Sequence, residues 1–342
     1  MTIHKLINCN SNDLSVLESG SVDLIVTSPP YPMIAMWDEL FTEQDKEIGF
    51  LLENNQGIEA FYRMHKVLNS VWEECDRVLS DNGFVCINIG DATRTIDGVF
   101  QLYSNHTEII NYFLSKGYCV LPDIHWRKQT NSPNKYMGSG MYPAGAYVTY
   151  EHEYILVFRK GGKRLFSGKR KQDRQESAYF WEERNEWFSD LWELKGTSQV
   201  MPIDKASRER SAAFPFEIPY RLVCMYSAKN DTVLDPFCGL GTTNMACMML
   251  ERNSIGVELK ADFRDLSVSR LLSSKDRLND QIDLRLKRHL DFIDSLSDEK
   301  KGKCYTNLNH GFKVKTKQET AIYIRKIASI QEQEEDIFCE YE

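Results

Sequence analysis

Thr232–Val233–Leu234–Asp235–Pro236–Phe237–Cys238–Gly239–Leu240–Gly241–Thr242–Thr243 runs from a short apolar segment, through a turn, into the apolar stretch Met245–Leu250. A strand, a tight turn and a helix start in that order are the unit from which α/β folds are built. Glycines at 239 and 241 let the backbone pass close to a ligand, and the N–H groups that open the helix favour a carboxylate or phosphate there. A lone GxG is weak evidence, because many strand-to-helix turns use glycine without a ligand. The next segment strengthens it: Ser254–Val257 reads as a second strand ending at Glu258, where an acid would bind the ribose hydroxyls of a nucleoside cofactor. Taken alone, Glu258 reads more simply as a solvated loop acid. A Walker loop would need a Lys where this chain has Thr242 and Thr243, and a dinucleotide loop would need a third glycine at Asn244.

Working outward, Val22–Val26, Phe84–Ile89 and Tyr154–Phe158 are further β-rich runs. They alternate with helical patterns, the clearest being Ile58–Leu79, where Phe61, Met64, Val67, Leu68, Val71, Cys75 and Val78 form one core-facing stripe. That rhythm predicts an α/β protein with a parallel sheet covered by helices. At 342 residues and 42% hydrophobic content the chain can bury one large core. Its net charge of −8 restricts any nucleic-acid surface to a local basic patch. The nine cysteines show no CxxC pair and no zinc spacing; they read as reduced, mostly buried thiols, and no metal is expected. Met1–Asn10 lacks the charged-then-apolar design of a secretory leader and no apolar run approaches bilayer length, so a cytoplasmic protein without membrane contact is expected.

Immediately after the first of those strands comes Thr27–Ser28–Pro29–Pro30–Tyr31. Consecutive prolines stiffen the backbone and remove two N–H donors, leaving nearby carbonyls rigid and without local competition. Such acceptors suit an exocyclic amine, whose lone pair is delocalised into its ring. Hydrogen bonds from that amine to the Ser28 side chain and the Pro29 carbonyl would push the nitrogen toward tetrahedral geometry and aim its lone pair at a methyl donor. Tyr31 would stack on a base extruded from the duplex. The plainer alternative is a rigid surface turn.

Thr27–Tyr31 resembles the catalytic motif of DNA amino-methyltransferases, and Asp235–Thr243 resembles their cofactor loop; catalytic motif first and cofactor loop second is the order of the permuted beta class. Ser211–Val223, Cys75–Leu79 with Gly83–Phe84, and Ile124–Lys128 with Glu151–Leu156 are similar to other segments of that family, so the resemblance spans Ile7 to about Leu266. It implies a Rossmann-like, mostly parallel seven-stranded methyltransferase sheet with helices on both faces and a small target-recognition lobe. The implied divisions are a catalytic half (1–158), a target recognition region (159–205), a cofactor-binding half (206–270) and a helical C-terminal extension (271–342). The resemblance makes Ser28, Pro29, Pro30 and Tyr31 the target-amine site. It makes Thr27, Phe214, Asp235, Pro236, Phe237, Gly239, Gly241, Thr242 and Glu258 the contacts to S-adenosylmethionine, and puts Trp126 and Lys128 on the base side. Where many members carry an acid after the first strand, this chain has Asn8–Cys9–Asn10; Asn10 can still accept from an adenine amino group through its side-chain oxygen.

In this family Ser before the prolines goes with cytosine N4 and Asp with adenine N6, so N4 methylation is the expectation, with adenine N6 as the alternative. Cytosine C5 chemistry needs a nucleophilic Cys, normally after Pro, and no Pro-Cys pair occurs. A non-catalytic nucleic-acid-binding module is the rival from another class; it would need neither an intact glycine loop nor an intact Ser-Pro-Pro-Tyr. The basic run Arg159–Arg174, with Lys163, Arg164, Lys169, Arg170 and Lys171, is the candidate footprint for phosphates of double-stranded DNA. Trp192 is expected in the core, while Trp181 and Trp187 either pack the lobe or wedge the duplex. Lys128 reads equally as a surface base. The acidic tail Glu332, Glu334, Glu335 and Asp336 reads as solvated, and segment 271–342 as a further DNA-contacting or dimer surface. A cognate restriction endonuclease is a partner by resemblance alone, and both a monomer and a homodimer fit the sequence.

Overall fold

The computed structural model describes residues 1–128, 142–145, 147–195 and 214–342. Its strands are β1 (Thr2–Asn8), β2 (Val22–Thr27), β3 (Leu79–Ile89), β4 (Ala92–Ile96), β5 (Val99–Tyr103), β6 (Cys119–Arg127) and β7 (His152–Arg159). There follow β8 (Leu191–Glu193), β9 (Thr232–Asp235), β10 (Asn253–Glu258), β11 (Tyr305–Thr306), β12 (Lys313–Val314), β13 (Ile327–Gln333) and β14 (Asp336–Tyr341). Ten of them form one sheet in the order β13-β14-β1-β10-β9-β2-β3-β7-β6-β8. The middle, β1-β10-β9-β2-β3, is parallel throughout; β7 runs antiparallel to both β3 and β6.

Strict alternation divides the side chains between two faces. Ile25, Val85, Ile87, Leu156 and Phe158 face the helices Gly57–Val78 and Asn105–Ser115, with Met64, Leu68, Trp72 and Phe113 in the same cluster. Leu24, Val26, Cys86, Ile155 and Val157 face the helices Glu217–Tyr226, Thr242–Met249 and Lys275–Asp294. A strand covered on both sides reads as a continuous apolar run, as Leu24–Ile25–Val26 does. Every residue of Thr242–Met249 is buried, its polar first turn included, where Thr243 bonds Asp235 and Asn244 bonds Ser254.

Topology sets where a ligand can bind. The crossover from β2 to β3 runs through Gly57–Val78 on one face, and that from β9 to β10 through Thr242–Met249 on the other. The two crossovers lead away from each other because β2 and β9 are neighbours with opposite directions of progress. Helices diverging to opposite faces at such a switch leave a crevice beyond the carboxyl ends of the strands.

Two expectations need correcting. The sheet is wider than seven strands, because β13 and β14 add to it beside β1 and β8 adds beside β6. The extension 271–342 is α-helical only as far as Gly302; beyond it lie strands, turns and one short 3-10 helix (Lys317–Ala321), and β14 pairs with β1 in register Thr2↔Cys339 to Lys5↔Asp336. The acidic tail is therefore a hairpin: Glu334 and Glu335 take the positive φ values of its turn (50° and 72°), and Asp336 pairs with Lys5. Ile337 and Cys339, buried between the acids, carry the strand signal that the charge run masked. Residues 159–195 pack on the rest of the chain. Arg285 of the extension bonds Glu183 at 2.7 Å, His289 stacks on Phe180, and Trp187 and Trp192 are both buried. All nine cysteines are unpaired, six of them buried. Among the described residues no helix is long and apolar enough to cross a membrane.

Candidate active site

A cleft of about 250 Å³ opens beyond the carboxyl ends of β1, β2, β9 and β10. That is near the lower end of the roughly 300–1,000 Å³ usual for small-molecule sites. Its lining takes in Asn10–Asn12 after β1, Ser28–Tyr31 after β2, Asp235–Leu240 after β9 and Val257–Lys260 after β10. The two motifs some two hundred residues apart are thus neighbours in space, since β2 and β9 pair in parallel with Ile25 opposite Leu234.

Asp235 is the knot between them. Its carboxylate accepts from Thr27 Oγ1 at 2.6 Å, Thr243 Oγ1 at 2.7 Å and the Phe237 amide at 3.1 Å. Burial pushes its carboxyl above the ordinary range, while those three bonds pull the other way. Gly239 and Gly241 take positive φ (52° and 71°), which a side chain would strain. Glu258 accepts from the Gly239 and Lys260 amides, each at 3.0 Å, so its two oxygens are aimed rather than free to turn. Desolvation raises its pKa. A carboxylate fixed by two amides and lining the cleft fits a pair of vicinal hydroxyls.

Below the target motif lies a second polar group. The Ser28 and Tyr31 hydroxyls are 3.1 Å apart, and Tyr31 donates to Glu153 Oε2 at 2.9 Å. The Asn88 side-chain amide donates to Tyr31 at 2.8 Å and to Glu153 at 2.7 Å, and Lys128 pairs with the other Glu153 oxygen. Burial, with the Glu153 carboxylate next, pushes the Tyr31 phenol well above its usual value, so it remains a hydroxyl. Glu153 and Asn88 were not singled out from sequence. The signal was there: Glu153 continues the alternation of Ile155 and Val157, and Asn88 that of Cys86, placing polar residues on an apolar face.

Of the expected site residues, Asn10, Ser28, Pro29, Pro30, Tyr31, Phe214, Asp235, Pro236, Phe237, Gly239, Thr242 and Glu258 line the cleft. Asn10 is held by Gln44 at 2.7 Å, and its side-chain oxygen accepts from the Asn12 amide. Thr27 and Gly241 lie behind the wall, Thr27 bracing Asp235 and Gly241 opening the helix. Trp126 is buried with its indole N–H on the Leu194 carbonyl, and Lys128 lies over its ring. Neither lines the cleft. A wall that sequence reasoning missed comes from Met36, Trp37, Glu39, Leu40, Phe41, Glu43 and Gln44.

The basic run lies elsewhere. Arg164 bonds Asp23 and Asp231, and Arg170 pairs with Asp231 and bonds the Lys229 carbonyl. Asp23 and Asp231 sit where β2 and β9 begin, at the edge of the sheet opposite the cleft. These two arginines neutralise a buried aspartate. Lys163, Lys169 and Lys171 are exposed on the same segment. The part of the Ser211–Val223 resemblance at 211–213 lies outside the described residues.

The family model for DNA methylases matches residues 22–269, well over half of the chain. The chain is 49% identical over 343 residues to the Type II methyltransferase M.MthZI of Methanothermobacter thermautotrophicus, covering 98% of this chain and 95% of that one. It is 48% identical to M.MjaI of Methanocaldococcus jannaschii, over 78% and 90% of the two chains. Among solved structures, TTHA0409 of Thermus thermophilus, crystallised with S-adenosyl-L-methionine, matches with a TM-score of 0.61 at 29% identity, covering 78% of this chain and 94% of that one. The cytosine-N4-specific PvuII DNA methyltransferase shares the fold with a TM-score of 0.54 at 18% identity, over 82% and 91%.

Proposed function

The chain belongs to the DNA methylase family, and from that premise we propose that it transfers a methyl group from S-adenosylmethionine to the exocyclic N4 amine of a cytosine flipped out of duplex DNA. The observation that carries this reading is the shared cleft: Ser28, Pro29 and Tyr31 on one strand end face it together with Asp235, Gly239 and Glu258 on the next two. When bound, the sulfonium cofactor supplies an activated methyl group. Glu258 takes its ribose hydroxyls, Asp235 holds the loop against it, and Phe214 and Phe237 pack its apolar surface. Ser28 Oγ and the Pro29 carbonyl accept from the amine and orient its lone pair, and Tyr31 stacks on the base. The relatives bear Type II names, which supports a role beside a restriction endonuclease that cuts the same site.

Digesting methylated DNA to nucleosides tests the base directly: N4-methylcytosine is expected, and N6-methyladenine as sole product would replace cytosine by adenine. Ser28→Ala is expected to abolish transfer with folding retained. Transfer at the unaltered rate by that variant would remove the site assignment.

A further inference from the structure

Methyl transfer leaves a charge to dispose of. The amine nitrogen forms a bond to the methyl carbon as the carbon–sulfur bond breaks with its electron pair to sulfur, and the methylated nitrogen then sheds one proton. That proton needs an acceptor within reach of the amine.

Resting on the proposed function, we infer that Ser28, Tyr31 and Glu153 form a proton wire from the target amine to the surface beside Lys128, with Glu153 as its terminal acceptor. Three observations carry it. The wire is continuous: Ser28 Oγ and Tyr31 Oη are 3.1 Å apart, and Tyr31 Oη lies 2.9 Å from Glu153 Oε2. It has one direction. Tyr31 donates to Glu153, so Ser28 donates to Tyr31, which leaves the Ser28 lone pairs facing the cleft to accept from the amine. And it ends at water: Glu153 is buried behind Tyr31, but its Oε1 pairs with Lys128, whose side chain is 40% exposed.

Each hop is a hydroxyl exchange. The amine proton passes to Ser28 Oγ, the Ser28 proton to Tyr31, and the Tyr31 proton to Glu153, leaving both hydroxyls neutral and Glu153 protonated. Glu153 then returns the proton to water beside Lys128. No phenolate or alkoxide accumulates, in keeping with a Tyr31 phenol held protonated by burial. Asn88 spans the wire, donating to Tyr31 and Glu153, and fixes both ends. The ionisable neighbours are Lys128 across the carboxylate, Glu151 and His152 earlier on or beside β7, and Asp91 beyond Gly90 on the next turn. Of these only Lys128 touches Glu153 among the described residues. A Cβ at Gly90 would come within 3.0 Å of the Tyr31 ring and 3.3 Å of Glu153, so a side chain there would press on both. Glu153 acts through Tyr31 and is a positioning and relay residue rather than one that touches the base.

Single-turnover transfer across pH separates a relay from a prop. Glu153→Gln keeps the shape and, through its carbonyl oxygen, the bonds from Tyr31 and Asn88, but it gives up the pair with Lys128 and cannot take a proton. Its transfer rate is expected to fall about a hundredfold, the lower range for general acid–base catalysis. The fall should shrink as pH rises and solvent base replaces the wire, while S-adenosylmethionine affinity and melting temperature hold. Tyr31→Phe cuts the wire at its middle link and is expected to give the same pH profile; it serves if Glu153→Gln does not fold. Rates within twofold of the unaltered protein at every pH, in whichever variant folds, overturn the wire. A pH-independent fall in both reduces Glu153 to a structural support and overturns it too. Either result, with Ser28→Ala inactive, leaves the proposed function intact; an active Ser28→Ala removes that function instead.

Discussion

Thr27→Val tests whether the two motifs are mechanically joined. Thr27 and Asp235 are 1% and 2% exposed, and their bond, at 2.6 Å, lies in the short range expected of a hydroxyl on a carboxylate. A hydrogen bond to a charged group contributes about 1.5–3 kcal/mol. Valine keeps the volume, and the Phe237 amide still donates to the same oxygen at 3.1 Å, so Asp235 is not stranded. The expected loss of unfolding free energy is therefore about 2 kcal/mol, toward the low end of that range. Urea denaturation should show a lower midpoint with an unchanged slope. Asp235→Asn keeps an acceptor for Thr27 but removes the charge, and Thr243 can turn its hydroxyl to accept from the new amide. The double variant should then lose less than the sum of the singles by about 1 kcal/mol, beyond the roughly 0.3–0.5 kcal/mol scatter of independent sites. Additivity within that scatter would refute the claim that this bond ties the target motif to the cofactor loop.

Four further outcomes follow from other parts of the molecule. Glu258→Ala should weaken S-adenosylmethionine binding by about ten- to a hundredfold in calorimetry, as loss of a charge-assisted pair of bonds implies; unchanged affinity would free Glu258 from the ribose. Gly256→Ala should destabilise by about 1–3 kcal/mol, because the new Cβ would lie 2.4 Å from Cys238 Sγ and 2.8 Å from Leu6; a neutral melt would mean that the loop yields freely. Arg164→Met should lower the melting temperature by unmasking Asp231, yet leave the slope of DNA affinity against log salt unaltered; a slope shallower by about one would return this arginine to the phosphates. Burial lowers His4 from 6.5 to about 3 and His65 from 6.5 to about 4, so both stay neutral in the fold but take a proton when unfolded. Their stabilisation is full above the unfolded value and is lost as pH falls from 6.5 toward 4, by up to about 1.4 kcal/mol per pH unit for each. Denaturation midpoints that do not move between pH 7 and pH 5 would contradict this.

What could be read from residues alone had a physical pattern. Val22–Val26, Thr232–Leu234 and Ser254–Val257 were legible as strands because burial on both faces makes central parallel strands continuously apolar. Gly239 and Gly241 were legible because positive φ selects glycine. The edge was not. β1 mixes Thr, His and Lys, and its buried His4 is held by a bond to Ser254 across the strand pair, a contact no local pattern announces. β14 hides two buried residues among acids. Glu153 stands in the run Glu151–His152–Glu153, which carries no local sign of the Tyr31 and Asn88 that surround it in the fold. The partners of Arg164 and Arg170 were not legible, because composition counts charges without their partners, and Asp23 lies at the start of β2 and Asp231 just before β9, far apart in sequence.

The placement of β1 bears on how the chain reaches its native state. Its neighbours, β10 and β14, begin at residues 253 and 336, so the first strand to leave the ribosome waits for nearly everything after it before either side is covered. Contacts so distant in sequence slow folding and prolong exposure of an unpaired edge. Shortening the gene by its last hairpin would leave that edge open for good, and the expected harm is clumping during expression rather than a defect in chemistry.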